Sequence, residues 1–284
     1  MVSVIIPHYN RIDYLEKAID SVLIQTLSDL EIFVIDDGSS ADVRKSLEKL
    51  KQKDLRIHIL LIDHTGKPAA ARNYGIKHSH GDIIAFLDSD DEWHPEKLKT
   101  QLAFIGQGYD IIGSNFSNEN DYSISVLKAS DVGKVTKGKL ILNNNICNSS
   151  VIMKRSVVDS IGYQDESRAL YEDYDYWIRA LFNGKSAYIQ KDCLVYYRVH
   201  QGMISSKNNE IDKRLNYLLA IFSKITDYSY SEKIAIRLDN EIVNFYDVMI
   251  NKALKKKDRK KAWFYLKQII NRDRKIFKKI KRFF

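Results

Sequence analysis

Two cysteines, Cys147 and Cys193, are all that 284 residues contain. They are too few for a disulfide framework and form no metal-ligand pattern, which fits a reducing compartment. No apolar run reaches the roughly 18 residues that a membrane span needs, so no spanning helix is expected. The chain opens directly on Val2-Ser3-Val4-Ile5-Ile6, with no charged and apolar leader before it, so no signal peptide is expected. Glycine is missing after that first apolar run. His8-Tyr9-Asn10-Arg11 stands there instead, which argues against a dinucleotide-binding oxidoreductase, because that function needs a glycine fingerprint at the first strand–helix turn. Neither proline nor glycine occurs after Glu210, and everything beyond it reads as helical.

What is present is ordinary for a globular chain: 44% hydrophobic and 29% charged residues. The length suits one large α/β domain, alone or with a helical appendage. The net charge of +8 is unevenly placed. Residues 252–284 hold 15 Lys or Arg and 2 Asp, while the remainder holds 30 basic and 35 acidic residues. A mildly acidic body with a basic tail points to a polyanionic surface as the tail's partner.

Short apolar runs alternate with helical patterns through the first half. Strands are expected at Val2–Ile6, Glu31–Ile35, Ile57–Ile62 and Ile83–Leu87. Helices are expected between them at Arg11–Gln25, Val43–Lys51 and Ala69–Lys77. That order implies a mostly parallel sheet with right-handed crossovers, whose ligands lie at the carboxyl ends of the strands. Three polar clusters fall at those ends: Pro7-His8-Tyr9-Asn10, Asp36-Asp37-Gly38-Ser39 and Asp88-Ser89-Asp90. Further on, Tyr109–Ser114 and Val151–Lys154 read as strands, and Gly133–Asn145 as a loop with a short helix. Glu172–Asn183 reads as a helix and Ala187–Arg198 as a strand pair or extended arm. The last helices are expected at Ile211–Thr226, Ser231–Leu254 and Asp258–Lys279.

Asp88-Ser89-Asp90-Asp91 follows the fourth apolar run directly. Carboxylates two apart at a strand end can converge on one divalent cation, and oxygen ligands suit Mg²⁺ or Mn²⁺ shared with substrate phosphates. The plainer alternative is an acidic turn that caps the next helix.

Six pieces in order carry a family resemblance. They are Val4-Ile5-Ile6-Pro7-His8-Tyr9-Asn10, Asp36-Asp37-Gly38-Ser39, Ala71-Arg72-Asn73-Tyr74-Gly75, Asp88-Ser89-Asp90-Asp91 with Trp93 and Pro95, Glu172-Asp173-Tyr174-Asp175, and Tyr197-Arg198-Val199-His200. Over Val2 to Ser206 the chain resembles family 2 glycosyltransferases of the GT-A (nucleotide-diphospho-sugar transferase) fold. The resemblance implies an α/β domain at 1–206 with a mostly parallel central sheet, and the helical patterns beyond it give a C-terminal helical region at 207–284. It also implies an inverting, metal-dependent transfer of a sugar from a nucleotide diphosphate, most often UDP, to a glycan hydroxyl in polysaccharide biosynthesis.

Residue by residue, the resemblance puts Pro7, Tyr9 and Asn10 around the donor's base, where a plain loop with Asn10 as helix cap is the alternative. Asp37 would accept the uracil N–H, against a simple acidic turn, and Arg72 would face the diphosphate, against a helix-surface salt bridge. Asp88 and Ser89 belong to the donor set, and Asp88 contacts ribose or sits behind the metal. Asp90 is the direct metal ligand, and Asp91 either ligates or caps the helix starting near Pro95. Asp173 is the expected general base, a carboxylate that takes the acceptor's proton. Charge at a helix start is its alternative, and Glu172 and Asp175 are the next candidates. Trp177 packs under that helix or stacks on sugar. His200 completes the metal site or is an ordinary histidine, and Ser205 and Ser206 could close over phosphate. The cofactors expected are Mn²⁺ or Mg²⁺ and a nucleotide sugar, with UDP-sugar first.

The tail mixes Lys and Arg with Trp263, Phe264, Tyr265 and Phe277. Such a helix suits anionic lipid, and a solvated face or a nucleic-acid surface are the alternatives. A polyprenyl-linked acceptor, no nucleic acid, and a cytoplasmic place on the inner face of the membrane follow as expectations. Two other functions compete. A non-catalytic binder of sugar nucleotide or membrane would not need Asp88, Asp90 and Asp173 together. A sugar-nucleotide pyrophosphorylase, of related fold, would open with the glycine-rich loop missing here.

Overall fold

A computed structural model of the chain describes residues 1–167, 171–200, 246–247, 249–251, 253–255 and 257–272. Contacts divide the chain into a larger unit, Met1–Met203, and a smaller one, Ile204–Phe284.

The larger unit is built on one mixed sheet. Strand β1 (Val2–His8) lies between β2 (Leu30–Asp37) and β4 (Ile83–Phe86), and β3 (Ile57–Ile62) flanks β2, all parallel. Nearly every residue of β1 and β2 is buried, as expected of a parallel sheet covered on both faces. Helix α1 (Ile12–Leu23) buries Leu15, Ala18, Ile19 and Val22, one stripe at helical spacing, against that sheet. Helices α2 (Ala41–Lys51) and α3 (Pro68–His78) complete the crossovers. Gly75 lets α3 lie close: a Cβ there would stand 2.6 Å from Ile35 Cδ1 and 2.7 Å from Ile5 Cγ2.

Beyond β4 the sheet changes character. After the short strand β5 (Glu92–Trp93) and helix α4 (Lys97–Gly106) come β6 (Ile111–Ser117), β7 (Gly133–Val135) and helix α5 (Lys137–Leu142). Strand β8 (Ile152–Lys154) runs antiparallel between β4 and β6. Helix α6 (Arg155–Ile161), helix α7 (Glu172–Phe182) and strand β9 (Ala187–Tyr196) follow. The sheet order is β3-β2-β1-β4-β8-β6-β9-β5, with β7 on β9. Of the strand pair or extended arm expected at Ala187–Arg198, the structure has one extended strand, parallel to β6 and antiparallel to β5 and β7.

In the smaller unit, helix α8 (Arg259–Arg272) lies within the expected last helix. It buries Ala262 and Leu266, one helical turn apart, and leaves Trp263 and Phe264 61% and 56% exposed. The expected helix at Ile211–Thr226, and Ser205 and Ser206, lie outside the described residues. Among the described residues no helix is long and apolar enough to cross a membrane.

Candidate active site

The crossovers from β1 to β2 and from β3 to β4 leave on opposite sides of β1, so the crevice opens between the carboxyl ends of β1 and β4. Pro7 helps to open it. The β1–β4 register ends at Ile5↔Phe86, so the missing N–H of Pro7 costs that ladder nothing. His8 turns inward opposite Asp36, and burial drives its pKa down to about 4. Tyr9 turns outward, 46% exposed, and its ring stacks on His64 with centroids 4.4 Å apart. Asn10 takes a left-handed φ of 60° and ties two strand ends together. Its N–H donates to Ser39 Oγ at 2.9 Å, and its Oδ1 accepts from Ser40 N–H at 2.9 Å. Asn10 is therefore not the cap of α1, a position that Arg11 holds.

Asp37 is buried and heavily engaged. Its Oδ1 accepts from Thr65 N–H at 2.7 Å and Thr65 Oγ1 at 2.9 Å, and its Oδ2 accepts from Gly66 N–H at 2.9 Å. The carboxylate clamps the loop before α3. Gly38 makes room for that loop, with φ of 76° and a hypothetical Cβ 2.7 Å from His64 Cβ. Asp36 accepts from Ser39 N–H and Arg44 Nε, each at 3.2 Å.

After β4 the four acidic-loop residues part company. Asp88 Oδ1 accepts from Arg72 Nη2 at 2.6 Å. Ser89 is half-buried beside it. Asp90 Oδ2 lies 2.9 Å from His200 Nε2 and 3.4 Å from Arg11 Nη1. Asp91 is buried, accepting from Ser149 Oγ at 2.5 Å and Arg198 N–H at 3.0 Å. Burial and the charges of Asp90 and Asp88 push its carboxyl well up. Asp91 thus anchors the loop, and it does not cap α4, whose cap is Glu96. The expected metal set divides as well: Asp90 and His200 meet, while Asp88 is drawn to Arg72. Among the described residues no group of three His, Cys, Asp or Glu side chains could hold a metal ion.

Arg72 is neither on a helix surface nor turned to solvent. It is 3% exposed, and its Nη1 donates to Glu172 Oε1 at 2.8 Å while Nη2 binds Asp88. With its amide oxygen turned inward, Asn148 accepts from Nε and Nη2, each at 3.2 Å. Both carboxylates hold the guanidinium fully charged despite burial. One side chain on α3 therefore fixes the acidic loop to the first turn of α7.

Asp173 follows Glu172 in that turn as a half-buried residue, with Oδ1 accepting its neighbour's Tyr174 N–H at 2.7 Å. Burial, then the charge of Glu172, raise its pKa to about 7 against the opposing pull of Arg72. The two other candidates are committed elsewhere: Glu172 to Arg72, and Asp175, 1% exposed, to Arg179 Nε at 2.8 Å. Trp177 is fully buried against Phe86, with ring centroids 6.3 Å apart, so it packs the core and stacks on no sugar.

The sequence matches the family described as Glycosyl transferase family 2 over residues 3–155, more than half of the chain. The chain belongs to that family. It is similar to UDP-Glc:alpha-D-GlcNAc-diphosphoundecaprenol beta-1,3-glucosyltransferase WfaP of Escherichia coli, 33% identical over 78% of this chain and 86% of the relative. The putative teichuronic acid biosynthesis glycosyltransferase TuaG of Bacillus subtilis is 30% identical over 75% of this chain and 85% of its own. Among solved structures, S. aureus TarS 1–349 in complex with UDP-GlcNAc aligns with TM-score 0.66 at 19% identity, over 92% of this chain and 89% of that one. Mannosyltransferase PcManGT from Pyrobaculum calidifontis, in complex with GDP-Man and Mn²⁺, aligns with TM-score 0.63 at 16% identity, over 89% and 75%. The fold is GT-A, and the protein is a glycosyltransferase.

Several residues of this glycosyltransferase site were not assigned roles from sequence. Arg198 straps the acidic loop through Asp91, Asp90 O and Glu92, reaching Asp90 O at 3.1 Å. Ser149 supports the same loop, accepting from Asp88 N–H at 3.1 Å. Asn148 holds Arg72, and Arg11 reaches the Asp90–His200 pair. Arg11 and Arg198 each stand within a motif already singled out, so adjacency was the available signal. Nothing in the sequence marks Asn148 or Ser149.

Proposed function

We propose that the protein is an inverting, metal-dependent glycosyltransferase of surface-glycan biosynthesis. It would move a sugar from a UDP-sugar to a hydroxyl of a polyprenyl-diphosphate-linked glycan. The observation that carries this reading is the bridge Asp88–Arg72–Glu172. It fastens the acidic loop to the helix start bearing Asp173, a carboxyl poised near neutrality. The printed activity of WfaP supports the class of donor and acceptor, and UDP-GlcNAc bound to TarS supports the nucleotide.

The chemistry follows from the residues. Asp173 accepts the acceptor hydroxyl's proton as that oxygen bonds to the anomeric carbon. The bond from that carbon to the diphosphate oxygen breaks, its electron pair leaves with the nucleoside diphosphate, and the anomeric configuration inverts. A base with pKa near the working pH is both available and strong enough for this step. Tyr9 offers a ring for the donor's base, and Asp37, already holding Thr65 and Gly66, shapes the loop beside it. Arg72 acts as a positioning residue, because its fork is occupied by protein carboxylates.

The donor chemistry at Asp90 and His200 fits a divalent cation: a carboxylate oxygen and an imidazole nitrogen converge, leaving positions for phosphate oxygens and water. Mn²⁺ or Mg²⁺ bound there would supply Lewis-acid stabilisation of the departing diphosphate.

Helix α8 exposes Trp263 and Phe264 among lysines, which suits the interface of an anionic membrane carrying the acceptor. The chain would then work at the cytoplasmic face. Flotation on anionic vesicles should fall when residues 252–284 are removed, and equal flotation of both forms would sink the membrane reading.

The catalytic reading is tested with a panel of UDP-, GDP- and dTDP-sugars under Mn²⁺, Mg²⁺ or EDTA. Metal-dependent release of one nucleotide is expected, lost in Asp90→Ala and Asp173→Ala. Absence of both release and nucleotide binding would favour a non-catalytic protein.

A further inference from the structure

Arg11 stands between the Tyr9–Asn10 turn and α1, and it closes a triangle. Its Nη1 is 3.1 Å from His200 Nε2 and 3.4 Å from Asp90 Oδ2, and those two atoms are 2.9 Å apart. An imidazole nitrogen can donate or accept a hydrogen bond, but it cannot do both. With hydrogen on Nε2, the ring donates to Asp90 and offers the guanidinium no acceptor. With hydrogen on Nδ1, the Nε2 lone pair accepts from Arg11 and faces a carboxylate oxygen at hydrogen-bond distance. Two acceptors then point at one place, and the guanidinium's positive charge makes that arrangement favourable. A carboxylate oxygen and an unprotonated imidazole nitrogen converging on a positive charge also form the donor set of a borderline divalent cation.

We propose that Arg11 is a built-in counter-cation of the Asp90–His200 corner, which competes with the divalent metal for that corner and turns to the donor's diphosphate when the metal enters. This rests on the donor-site reading above and deepens it. Removing a unit charge about 3–4 Å from the ligand atoms should change metal affinity about tenfold, between the limits set by water and by a partly screened surface. The Arg11 side chain is 36% exposed, so its charge is screened in part. A released guanidinium offers paired charge-assisted donors to phosphate oxygens. Arg11 therefore opposes metal binding alone and favours metal binding together with a nucleoside diphosphate.

The test is a titration of the full chain with Mn²⁺, read by the paramagnetic resonance of free Mn²⁺, with and without UDP. Parent, Arg11→Met, Arg11→Lys and Asp90→Asn are compared, each checked for folding by its circular-dichroism melt. Arg11→Met should bind Mn²⁺ alone about tenfold more tightly than the parent, and UDP should strengthen its binding less. Arg11→Lys, which keeps the charge, should stay near the parent, and Asp90→Asn should lose Mn²⁺. Equal affinities in parent and Arg11→Met would overturn the role of Arg11 and leave the donor site standing, since Asp90→Asn would still lose the metal. No Mn²⁺ binding by parent or Arg11→Met, even with UDP, would overturn both.

Discussion

Replacing Asp173 by asparagine separates what the residue does for catalysis from what it does to stability. The carboxyl ordinarily titrates near 3.8 and is lifted to about 7 here, mainly by burial and then by Glu172. The sign follows from linkage: a raised carboxyl favours the fold fully below its unfolded pKa, and that contribution is lost as pH rises through 7. Above both values the ionised group opposes folding by up to about 4 kcal/mol, at 1.36 kcal/mol per pH unit. At about pH 5 the opposition shrinks to under about 2 kcal/mol, because only the unfolded chain is then ionised. Asparagine keeps the acceptor for Tyr174 N–H and carries no charge, and the pull of Arg72 is already contained in the value of about 7. The expected gain is therefore up to about 4 kcal/mol at about pH 8, which for a domain of this size raises Tm by up to roughly 8–16 °C. At about pH 5 the gain should fall below about 2 kcal/mol. Melting curves of parent and variant at both pH values measure it, and turnover with the donor found in the panel should fall about 10²–10⁴-fold in the same preparation. Identical melting at about pH 8 would refute the raised pKa. A stabilised variant with full turnover would refute the base assignment alone.

If Asp173 is the base, kcat/KM of the parent should rise with pH through about 7 and level off above it; a profile flat from pH 5 to 9 would count against it. Arg72→Met leaves the buried Glu172 and the half-buried Asp88 without their counter-charge and should cost about 3–5 kcal/mol in urea unfolding, a loss that Arg72→Lys recovers only partly. Gly38→Ala meets a left-handed φ and a contact under 3 Å with His64 and should destabilise by about 1–3 kcal/mol, with weakened nucleotide binding by calorimetry. Lys97 is fully buried, with Nζ 2.8 Å from Gln101 Oε1 and over the Trp93 ring at 3.9 Å, and burial drives its pKa well down. Lys97→Met should therefore stabilise the protein at neutral pH by about 1–3 kcal/mol, and the difference should shrink as pH rises toward 10.

How far the sequence could be read depended on whether a signal was local. The parallel half was legible because each strand is a short apolar run ending in a polar cluster, and each helix repeats its apolar residues at helical spacing, as Leu15, Ala18, Ile19 and Val22 do. β8 is three residues long and its direction is set by neighbours far away in the chain, so no periodicity could announce an antiparallel strand between β4 and β6. Likewise α6 and the two-residue β5 are too short to stand out as patterns. The site divides the same way. That Asp37, Asp88 and Asp90 stand at strand ends was readable from the apolar runs before them, whereas Arg72 and Asp173 were suggested only by the family resemblance. Which carboxylate faces which cation was not, because it depends on pairings that span about a hundred residues: Arg72 with Glu172, Asp91 with Arg198, Asp90 with His200. Those pairings convert four similar acids into distinct instruments. Asp91, its carboxyl pushed up by burial, holds the loop, while Asp88 is held by Arg72 and Asp90 faces His200 and Arg11. Arg72 is taken up by Glu172, whose charge in turn raises the Asp173 carboxyl. That last step decides the chemistry: were Glu172 absent, Arg72 would be free to pair with Asp173 and hold its pKa low, where a carboxylate is a poor base. Glu172→Gln should therefore lower the apparent pKa of kcat/KM and reduce its plateau, and a profile unmoved by that change would refute this account of how the base is tuned.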